Sequence, residues 1–564
     1  MKKIYAKVLA GALMLFGANI QAQRYVTEVF TDAQISVALD QTYAQNYSVL
    51  PVVLSAGQVP PGLDTLEADI YHPTNSIDTE QERPLIIYIP TGNFLPPVVN
   101  GSPNGSRKDS SAVNMAKLLA KRGYVVAVIE YRLGWNPTSP SQVVRTGTIL
   151  NAAYKGMQDS KAAVRFFRND RATSNTYKIN PNKIVLLGEG TGGYIAMAHA
   201  FLNSPDKIGR LPGLGGSKFL RTQNPDSSVI DTNRVGNFNG TNDVPYDLIG
   251  LLTTGDLTKF SGNIANNPSY SSDVNMVINM GGALGDSSWM DRGQVPMIGI
   301  HAVRDPNAPY QLGDVVVPTT PPSIVIPWAT GAGYNVERAN FFENNASFAN
   351  KIYDDAVTAA VESNYGTTIP FNGSTINVGT GKGLLPFILT EAGTYPFNHG
   401  SPWQFWNSNQ PSALAPILNG GGVTAHQASA ASNPFMAQSN EVGRATALTY
   451  MDTIQRFINP RIVCALGLAE CDLYPTVGIN EIAAKSDLVI AFPNPANNLI
   501  NLEAKNGGSI RNWSMFDLTG KMVLTEQNIN TNAVQISRGN LASGLYLIRF
   551  ETNKGVGSVN IVIE

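Results

Sequence analysis

Short, almost wholly apolar runs recur along the first 390 residues, separated by longer segments of mixed polarity. Runs of this kind are typical of strands that are buried on both faces of a parallel sheet, and the segments between them have helical composition. The pattern predicts strands over 84–90, 124–132, 183–187, 275–280, 296–300 and 384–389, and helices over 111–122, 194–202 and 445–457. Strands that alternate with helices indicate an α/β fold, with a doubly wound and mostly parallel sheet.

Two segments interrupt this alternation. The first insertion, residues 202–272, is polar and rich in glycine and asparagine, and the second insertion, residues 337–363, has helical composition. Insertions between the elements of such a sheet commonly form lids. We therefore expect both of them to lie over a site at the edge of the sheet.

The pattern changes near residue 477, where apolar and polar positions begin to alternate between turns of Asn, Gly and Lys. Period-two alternation with such turns predicts a small all-β sandwich. The predicted boundaries are a main domain over 23–475 and a C-terminal domain over 476–564.

The N-terminus has the pattern of a secretory signal peptide. Lys2, Lys3 and Lys7 precede an apolar run over 8–20, and Ala22 supplies a small residue for cleavage. The apolar run is too short to span a bilayer, and no later segment is apolar for long enough. We expect residues 1–22 to be removed and the mature protein to have no transmembrane segment.

Composition narrows the function classes. Forty basic residues stand against forty-two acidic ones, so there is no electrostatic case for binding nucleic acid or an anionic membrane surface. No phosphate loop, dinucleotide fingerprint or convincing metal-ligand cluster occurs, and we expect neither a cofactor nor a metal. Cys464 and Cys471 are the only cysteines, and in an exported protein a local disulfide is the favoured interpretation.

The most informative motif is Gly188-Glu189-Gly190-Thr191-Gly192-Gly193, which lies between a predicted strand and a predicted helix. With the preceding helix over 159–167 and Asn180-Pro181-Asn182-Lys183-Ile184, it resembles the carboxylesterase pattern of helix, D-P-x-R-I, strand and G-E-S-A-G-G. The resemblance implies an α/β-hydrolase fold with a nucleophile elbow. Gly190 stands in the place of the nucleophilic serine, while the small residues Gly188, Gly192 and Gly193 allow the strand and helix to pack closely.

The same resemblance supplies an acid and a base. Residues 300–310 are similar to the esterase stretch H-G-T-x-D-x-x-V-P-Y, which places Asp305 on the acid, although an aspartate that caps a turn before Pro306 is the alternative. The base follows the acid in this family, which favours His399, with His426 as the second candidate. His301 precedes the acid and is interpreted as structural.

The oxyanion hole of this family combines the backbone N–H after the nucleophile with donors from an H-G-G-G turn. The corresponding positions are Thr191 for the first donor and Gly92 and Asn93 for the turn. Pro90 replaces the histidine of the turn and only one glycine remains, so this part also departs from the pattern.

Three stretches near the C-terminus, residues 487–496, 515–521 and 541–550, resemble the type A sorting domain of the type IX secretion system. The resemblance implies that the type IX machinery is a partner and that the protein is secreted or held at the cell surface. A carbohydrate-binding β-module is the alternative, but it would need several stacking aromatics and Trp513 stands nearly alone.

Two functions remain open. The chain is either a secreted pseudoenzyme that binds a small ester, another ligand or a partner, or an ester hydrolase that uses a non-standard nucleophile or an activated water. A third interpretation is a surface cargo whose fold was retained for stability. Trp403, Phe405 and Trp406 would line the mouth of the pocket if His399 does, although buried packing is the commoner role for such residues.

Overall fold

The computed structural model describes residues 23–100, 104–204, 206–209, 220–221, 224–317, 323–371, 373–389, 400–405, 440–476, 488–505, 507–517 and 521–564. Residues 1–22, the predicted signal peptide, lie outside this described part. The chain divides into two compact units, of which one comprises residues up to 349 with 353–474 and the other 350–352 with 475–564.

An eight-stranded sheet forms the centre of the first unit. Its strands are β1 (Ile35–Ser48), β2 (Gly62–Pro73), β3 (Arg83–Ile89), β4 (Val125–Ile129), β5 (Ile179–Glu189), β6 (Met276–Met280), β7 (Met297–Ala302) and β8 (Leu384–Phe387). They lie in the order β1-β2-β4-β3-β5-β6-β7-β8. The pairs from β4 to β8 are parallel, whereas β1 and β2 form an antiparallel edge. This arrangement confirms the predicted doubly wound, mostly parallel sheet.

Alternating side chains of the central strands point to opposite faces of the sheet, and both faces are covered. On β3, Ile87 belongs to one hydrophobic core and Ile86 to the other. On β4, Ala127 and Val126 divide in the same way. Burial on both faces explains why these strands are apolar runs rather than alternating ones.

Five helices of ten or more residues in the described part of the chain flank the sheet: α1 (Ser110–Ala120), α2 (Gln142–Ala172), α3 (Thr191–Phe201), α4 (Ala332–Phe341) and α5 (Asn440–Ala465). Helices α2, α3 and α4 pack on one face through Met157, Ile195 and Val336. Helices α1 and α5 pack on the other face through Met115 and Ile454. The sheet is therefore the middle layer of three.

Shorter elements complete the first unit. The short helices are Asp32–Gln34, Leu50–Leu54, Pro97–Asn100, Asp206–Gly209, Thr232–Val235, Ile249–Thr254, Leu257–Lys259, Ser287–Trp289, Ala346–Ala349, Ala356–Glu362 and Ala469–Leu473. The paired short strands are Leu220–Arg221 with Asn224–Ser228, Val244–Asp247 with Ser261–Asn263, Leu312–Val317 with Ser323–Thr330, and Thr368–Phe371 with Ser374–Asn377.

The described part of the first insertion covers the outer side of α2. The Gln158 side chain donates to the carbonyls of Val235 and Asn237, both at 2.9 Å. The Arg165 guanidinium donates to the carbonyl of Asn239 at 2.6 Å. These bonds explain how a helix carries buried polar and charged side chains, because each group receives a partner from the insertion.

The second insertion lies elsewhere than expected. Asn345 accepts a hydrogen bond at 2.8 Å from the backbone N–H of Met297, the first residue of β7, and Phe348 lies against Gly383 just before β8. The Arg461 side chain of α5 donates to Thr358 at 3.3 Å. The segment therefore packs at the amino ends of β7 and β8 and against α5, where Phe348 is buried. The expectation that it covers the site is wrong.

A disulfide joins Cys464 near the end of α5 to Cys471 in the helix Ala469–Leu473, with 4.7 Å between the Cα atoms. It ties the last turn of α5 to the segment that leads out of the first unit. Within the ranges described above, no helix is both long and apolar enough to cross a membrane.

The second unit is made of antiparallel strands in two sheets, as predicted for the C-terminal domain. Its strands are β9 (Val489–Phe492), β10 (Leu499–Ala504), β11 (Ile510–Phe516), β12 (Met522–Glu526), β13 (Ala533–Ser537), β14 (Gly544–Thr552) and β15 (Gly555–Ile563). One sheet has the order β9-β10-β13 and the other β12-β11-β14-β15. Ile500 and Leu502 of the first sheet share a core with Trp513 and Ile548 of the second. Trp513 is thus a core residue and offers no stacking platform.

Candidate functional site

The turn between β5 and α3 has the backbone of a nucleophile elbow. Gly190 has φ 53° and ψ −117°, a left-handed conformation that a residue with a side chain adopts only under strain. Its N–H donates to the Met280 carbonyl at 2.8 Å, and the Gly193 N–H donates back to the Gly190 carbonyl at 2.9 Å. The turn therefore has the positive-φ residue that the predicted elbow needs, and that residue has no side chain.

The other elbow glycines have no room for a side chain. A Cβ on Gly188 would lie 2.6 Å from the Gly192 carbonyl carbon, and a Cβ on Gly192 would lie 2.6 Å from that of Ile89. A Cβ on Gly193 would lie 2.9 Å from the Gly282 Cα. The close packing that the sequence predicts is present at all three positions.

Thr91 lies in the space that a side chain at position 190 would enter. The Thr91 Cβ lies 2.9 Å from the position of a Cβ built on Gly190, and the Thr91 hydroxyl is closer still. Real Cβ atoms essentially never approach this closely, so a serine at 190 and a threonine at 91 exclude each other. Among the described residues, the Thr91 hydroxyl has no hydrogen-bond partner.

One of the expected oxyanion donors, the Asn93 N–H, lies at the Thr191 side chain. The Asn93 N–H donates to the Thr191 hydroxyl oxygen at 3.2 Å, and the Tyr131 hydroxyl lies 3.1 Å from the same oxygen. Tyr131 is itself held by the Pro90 carbonyl at 3.2 Å, and burial keeps its pKa well above the usual range. The Asn93 amide is thus directed at Thr191, and the neighbouring Gly92 belongs to the same turn.

Asp305 follows β7 and is buried. One carboxylate oxygen accepts from the backbone N–H groups of Asn307 and Ala308, at 2.7 and 3.2 Å, and so caps the turn. The other oxygen lies 3.3 Å from the His301 Nε2 atom. His301 is completely buried, and its Nδ1 atom has no partner in the part of the chain that the structure describes.

The segment 400–405 brings a second stretch of chain to the same place. A Cβ on Gly400 would lie 3.0 Å from the nearer Asp305 carboxylate oxygen, and the Gly400 carbonyl lies 3.6 Å from the position of a Cβ on Gly281, just after β6. Gly400, Asp305 and the elbow therefore meet at the carboxyl ends of β5, β6 and β7. The predicted base His399, its alternative His426 and Trp406 lie outside the described residues.

Glu189, which the sequence analysis did not assign, anchors this segment. Its buried carboxylate accepts from the Trp403 indole N–H at 2.9 Å, from the Gln404 amide at 2.6 Å and from the Tyr88 hydroxyl. Burial raises the pKa of Tyr88 well above its usual value, so that hydroxyl stays a donor. An acidic residue at the end of an apolar strand was the only sequence signal for this role.

The two aromatic residues of the segment are buried. Trp403 is fully buried and Phe405 is 4% exposed, which agrees with packing rather than with a place at a pocket mouth.

Asp109 is also buried. Burial raises the pKa of its carboxyl to about 7, and the negative charge of Glu189 adds to the effect. Within the described ranges, no three His, Cys, Asp or Glu side chains are placed to hold a metal ion.

Comparison with known families finds one matching family model in each unit. Residues 68–314 match the family model BD-FAE, and residues 490–564 match the secretion system C-terminal sorting domain. The chain carries an esterase-like α/β-hydrolase domain and a type IX sorting domain. The sorting domain indicates export through the type IX secretion system to the cell surface or the outside.

Solved structures similar to this chain include several esterases. Thermogutta terrifontis esterase 2 phosphorylated by paraoxon is 18% identical, with a TM-score of 0.25 over 49% of this chain and 74% of that one. The α/β-hydrolase MGS-M1 from a Medee basin deep-sea metagenome library is 12% identical, with a TM-score of 0.24 over 49% and 72%. Esterase B from Lactobacillus rhamnosis is 20% identical, with a TM-score of 0.20 over 36% and 51%.

At these identities and TM-scores the similarities say nothing about the activity of the hydrolase domain. No curated protein matches the sequence significantly.

Proposed function

We propose that the hydrolase domain has lost efficient ester hydrolysis and acts outside the cell as a binding module for a small ester or a related ligand. The observation that carries the proposal is the pair formed by Gly190 and Thr91. The elbow has no nucleophilic side chain, and the space for one is occupied by Thr91.

Two further observations support a loss of catalysis. The Asn93 N–H donates to the Thr191 hydroxyl, which competes with a substrate oxyanion for that donor. The Asp305 carboxylate accepts a hydrogen bond from the backbone N–H of Asn307 and lies beside the imidazole of His301. An acid in a working triad instead orients the catalytic imidazole.

In a binding module, the predicted site residues would occupy the same positions as in an esterase. Gly190 marks the nucleophile position, Asp305 the acid position and His399 the base position, with His426 as the alternative. Thr191, Gly92 and Asn93 mark the oxyanion side. In a binding module these groups shape and polarise a pocket, and no covalent intermediate is formed.

Hydrolysis of p-nitrophenyl acetate and p-nitrophenyl butyrate by the purified protein tests the proposal. We expect an acceleration of no more than about 10³–10⁴-fold over the uncatalysed reaction in buffer, which is the residual left when a catalytic triad is removed. A saturable activity with an ordinary kcat would overturn the proposal.

A second candidate function rests on the Thr91 hydroxyl, which lies beside the elbow and has no partner among the described residues. In that reaction the Thr91 oxygen bonds to the ester carbonyl carbon, its proton passes to the imidazole of His399, and the alcohol leaves with that proton. Water then hydrolyses the acyl-threonine. This function predicts activity that Thr91→Val removes and Thr91→Ser retains, whereas a parent without activity excludes it.

A further inference from the structure

A small cavity of about 60 Å³ lies between α2 and α3, under the described part of the first insertion. Its walls are almost entirely apolar and come from six parts of the chain. Representative lining residues are Leu150 and Met157 of α2, Ala198 of α3, Trp289, and Ile326 of the strand Ser323–Thr330.

One polar atom in this lining lacks a partner. The Tyr194 hydroxyl is buried and makes no hydrogen bond within the described chain. The other polar groups of the lining are engaged, since the Tyr154 hydroxyl donates to the Gly236 carbonyl and the Trp289 indole donates to the Lys207 carbonyl, both at 3.0 Å. Tyr194 is therefore the place where a ligand would find a donor.

One lining residue, Tyr194, lies on α3 close to the elbow. Tyr194 lies one helical turn after Gly190, and its N–H donates to the Gly190 carbonyl at 3.4 Å. Ala198 and Leu202 follow at four-residue spacing on the same side of α3, so the apolar wall extends away from the elbow. The Tyr194 side of the cavity is thus the side nearest the elbow along α3, and the side formed by Ala198 and Leu202 lies farther along the helix.

Size and charge define what fits. An apolar cavity of about 150 Å³ holds benzene, so one of about 60 Å³ accommodates roughly two or three carbon atoms. Burial and the negative charge of Asp305 raise the pKa of Tyr194 far above its usual range, which keeps the hydroxyl a neutral donor. The same negative charge disfavours a carboxylate at that end and favours a neutral carbonyl oxygen.

We propose that this cavity holds the short apolar chain of a neutral ester or amide, whose carbonyl oxygen accepts a hydrogen bond from the Tyr194 hydroxyl. The proposal rests on the proposed function, because it names the ligand class of the binding module. A buried hydroxyl without a partner is costly, and the ligand removes that cost.

Binding of butyramide to the purified full chain, followed by saturation-transfer NMR, tests this proposal. Butyramide is an unreactive stand-in for a four-carbon ester, so its binding is measured independently of any hydrolysis. We expect butyramide to bind better than butyrate, which carries a charge, and better than octanamide, which is too long.

Three variants locate the site. Tyr194→Phe removes the donor and keeps the ring, so we expect butyramide affinity to fall roughly five- to tenfold. Ala198→Leu and Ala153→Leu fill the cavity from α3 and α2 respectively, and each should abolish binding. Ala360→Leu, at an exposed helical position that does not line the cavity, is the matched control and should bind as the parent does.

Unchanged binding in both cavity-filling variants, or no butyramide binding by a folded parent, would overturn the proposal. The outcome is separable from that of the proposed function. An active parent that binds butyramide defeats only the loss of hydrolysis, and an inactive parent that ignores butyramide defeats only the ligand class.

Discussion

The Thr91 side chain fills the space beside Gly190: the Thr91 Cβ lies 2.9 Å from the position that a Cβ on residue 190 would take. In the esterase pattern both positions differ from this chain, since a glycine of the H-G-G-G turn stands in the place of Thr91 and serine in the place of Gly190. The two departures lie in separate motifs but make a single contact.

Restoring the serine alone will not restore the enzyme. Gly190→Ser forces the new side chain against Thr91 in a strained backbone conformation, and we expect a loss of about 1–3 kcal/mol in unfolding free energy with no gain in p-nitrophenyl butyrate hydrolysis. Thr91→Gly combined with Gly190→Ser relieves the contact. We expect its hydrolysis rate to rise by about 100-fold or more, a fraction of the roughly 10⁶-fold that a complete triad supplies.

His399→Ala in the double variant is the control, and it should return the rate to that of the parent. A single Gly190→Ser variant that is as active as the double variant would show that Thr91 is not the obstacle.

Glu189 should be essential to the segment 400–405. Glu189→Ala leaves the Trp403, Gln404 and Tyr88 donors without their acceptor, and we expect the unfolding free energy to fall by about 3 kcal/mol in urea denaturation. Hydrogen exchange should accelerate at Trp403 and Gln404. Glu189→Gln keeps one acceptor oxygen and should lose less; equal losses in the two variants would contradict the assigned hydrogen bonds.

Arg107 should contribute far more stability than its neighbour Lys108. Arg107 is nearly buried and reaches Asp69 at 2.8 Å, Asp40 at 2.7 Å and Glu130 at 3.0 Å. Arg107→Ala strands the buried Asp69 carboxylate, and we expect a loss of about 3 kcal/mol in unfolding free energy. Lys108→Ala removes an exposed pair and should change it by less than about 0.5 kcal/mol.

Equal effects of the two substitutions would show that the buried pair with Asp69 does not dominate. Both variants are compared by urea denaturation at the same pH.

Asp109 should make the protein less stable as the pH rises toward neutrality. Burial raises its pKa from 3.8 to about 7, so the folded state holds the proton more tightly than the unfolded state. The stabilisation is complete below pH 4 and is lost as the pH rises through 7, by at most about 4 kcal/mol since each pKa unit is worth about 1.36 kcal/mol.

Thermal unfolding of the parent and of Asp109→Asn between pH 4 and 8 checks this dependence. The variant keeps an acceptor for the backbone N–H groups of Gly105 and Ser106 and lacks the titrating proton. The difference in melting temperature between the two proteins should change across this range. A constant difference would mean that the carboxyl titrates near its ordinary value.

Strands buried on both faces were predictable from the sequence. The predictions over 84–90 and 124–132 correspond to β3 (Arg83–Ile89) and β4 (Val125–Ile129). Strands β1 and β2 were not predicted. No side chain is buried in the first half of β1, and its alternation is broken by irregular pairing, while β2 carries Asp64, Glu67 and Asp69 between its apolar positions. An apolar run records burial on both faces, and these two strands lack such a run.

The sequence determines local backbone geometry, whereas contacts between distant parts of the chain depend on the tertiary structure. The sequence by itself determined the strand, turn and helix around Gly190 and the sorting domain, because neighbouring residues and their periodicity specify the backbone. Only the tertiary structure decided that Thr91 fills the space beside Gly190, that Glu189 accepts a hydrogen bond from Trp403, and that the second insertion lies away from the site. Those contacts join residues far apart in the chain, and packing brings them together through surfaces that no local pattern encodes.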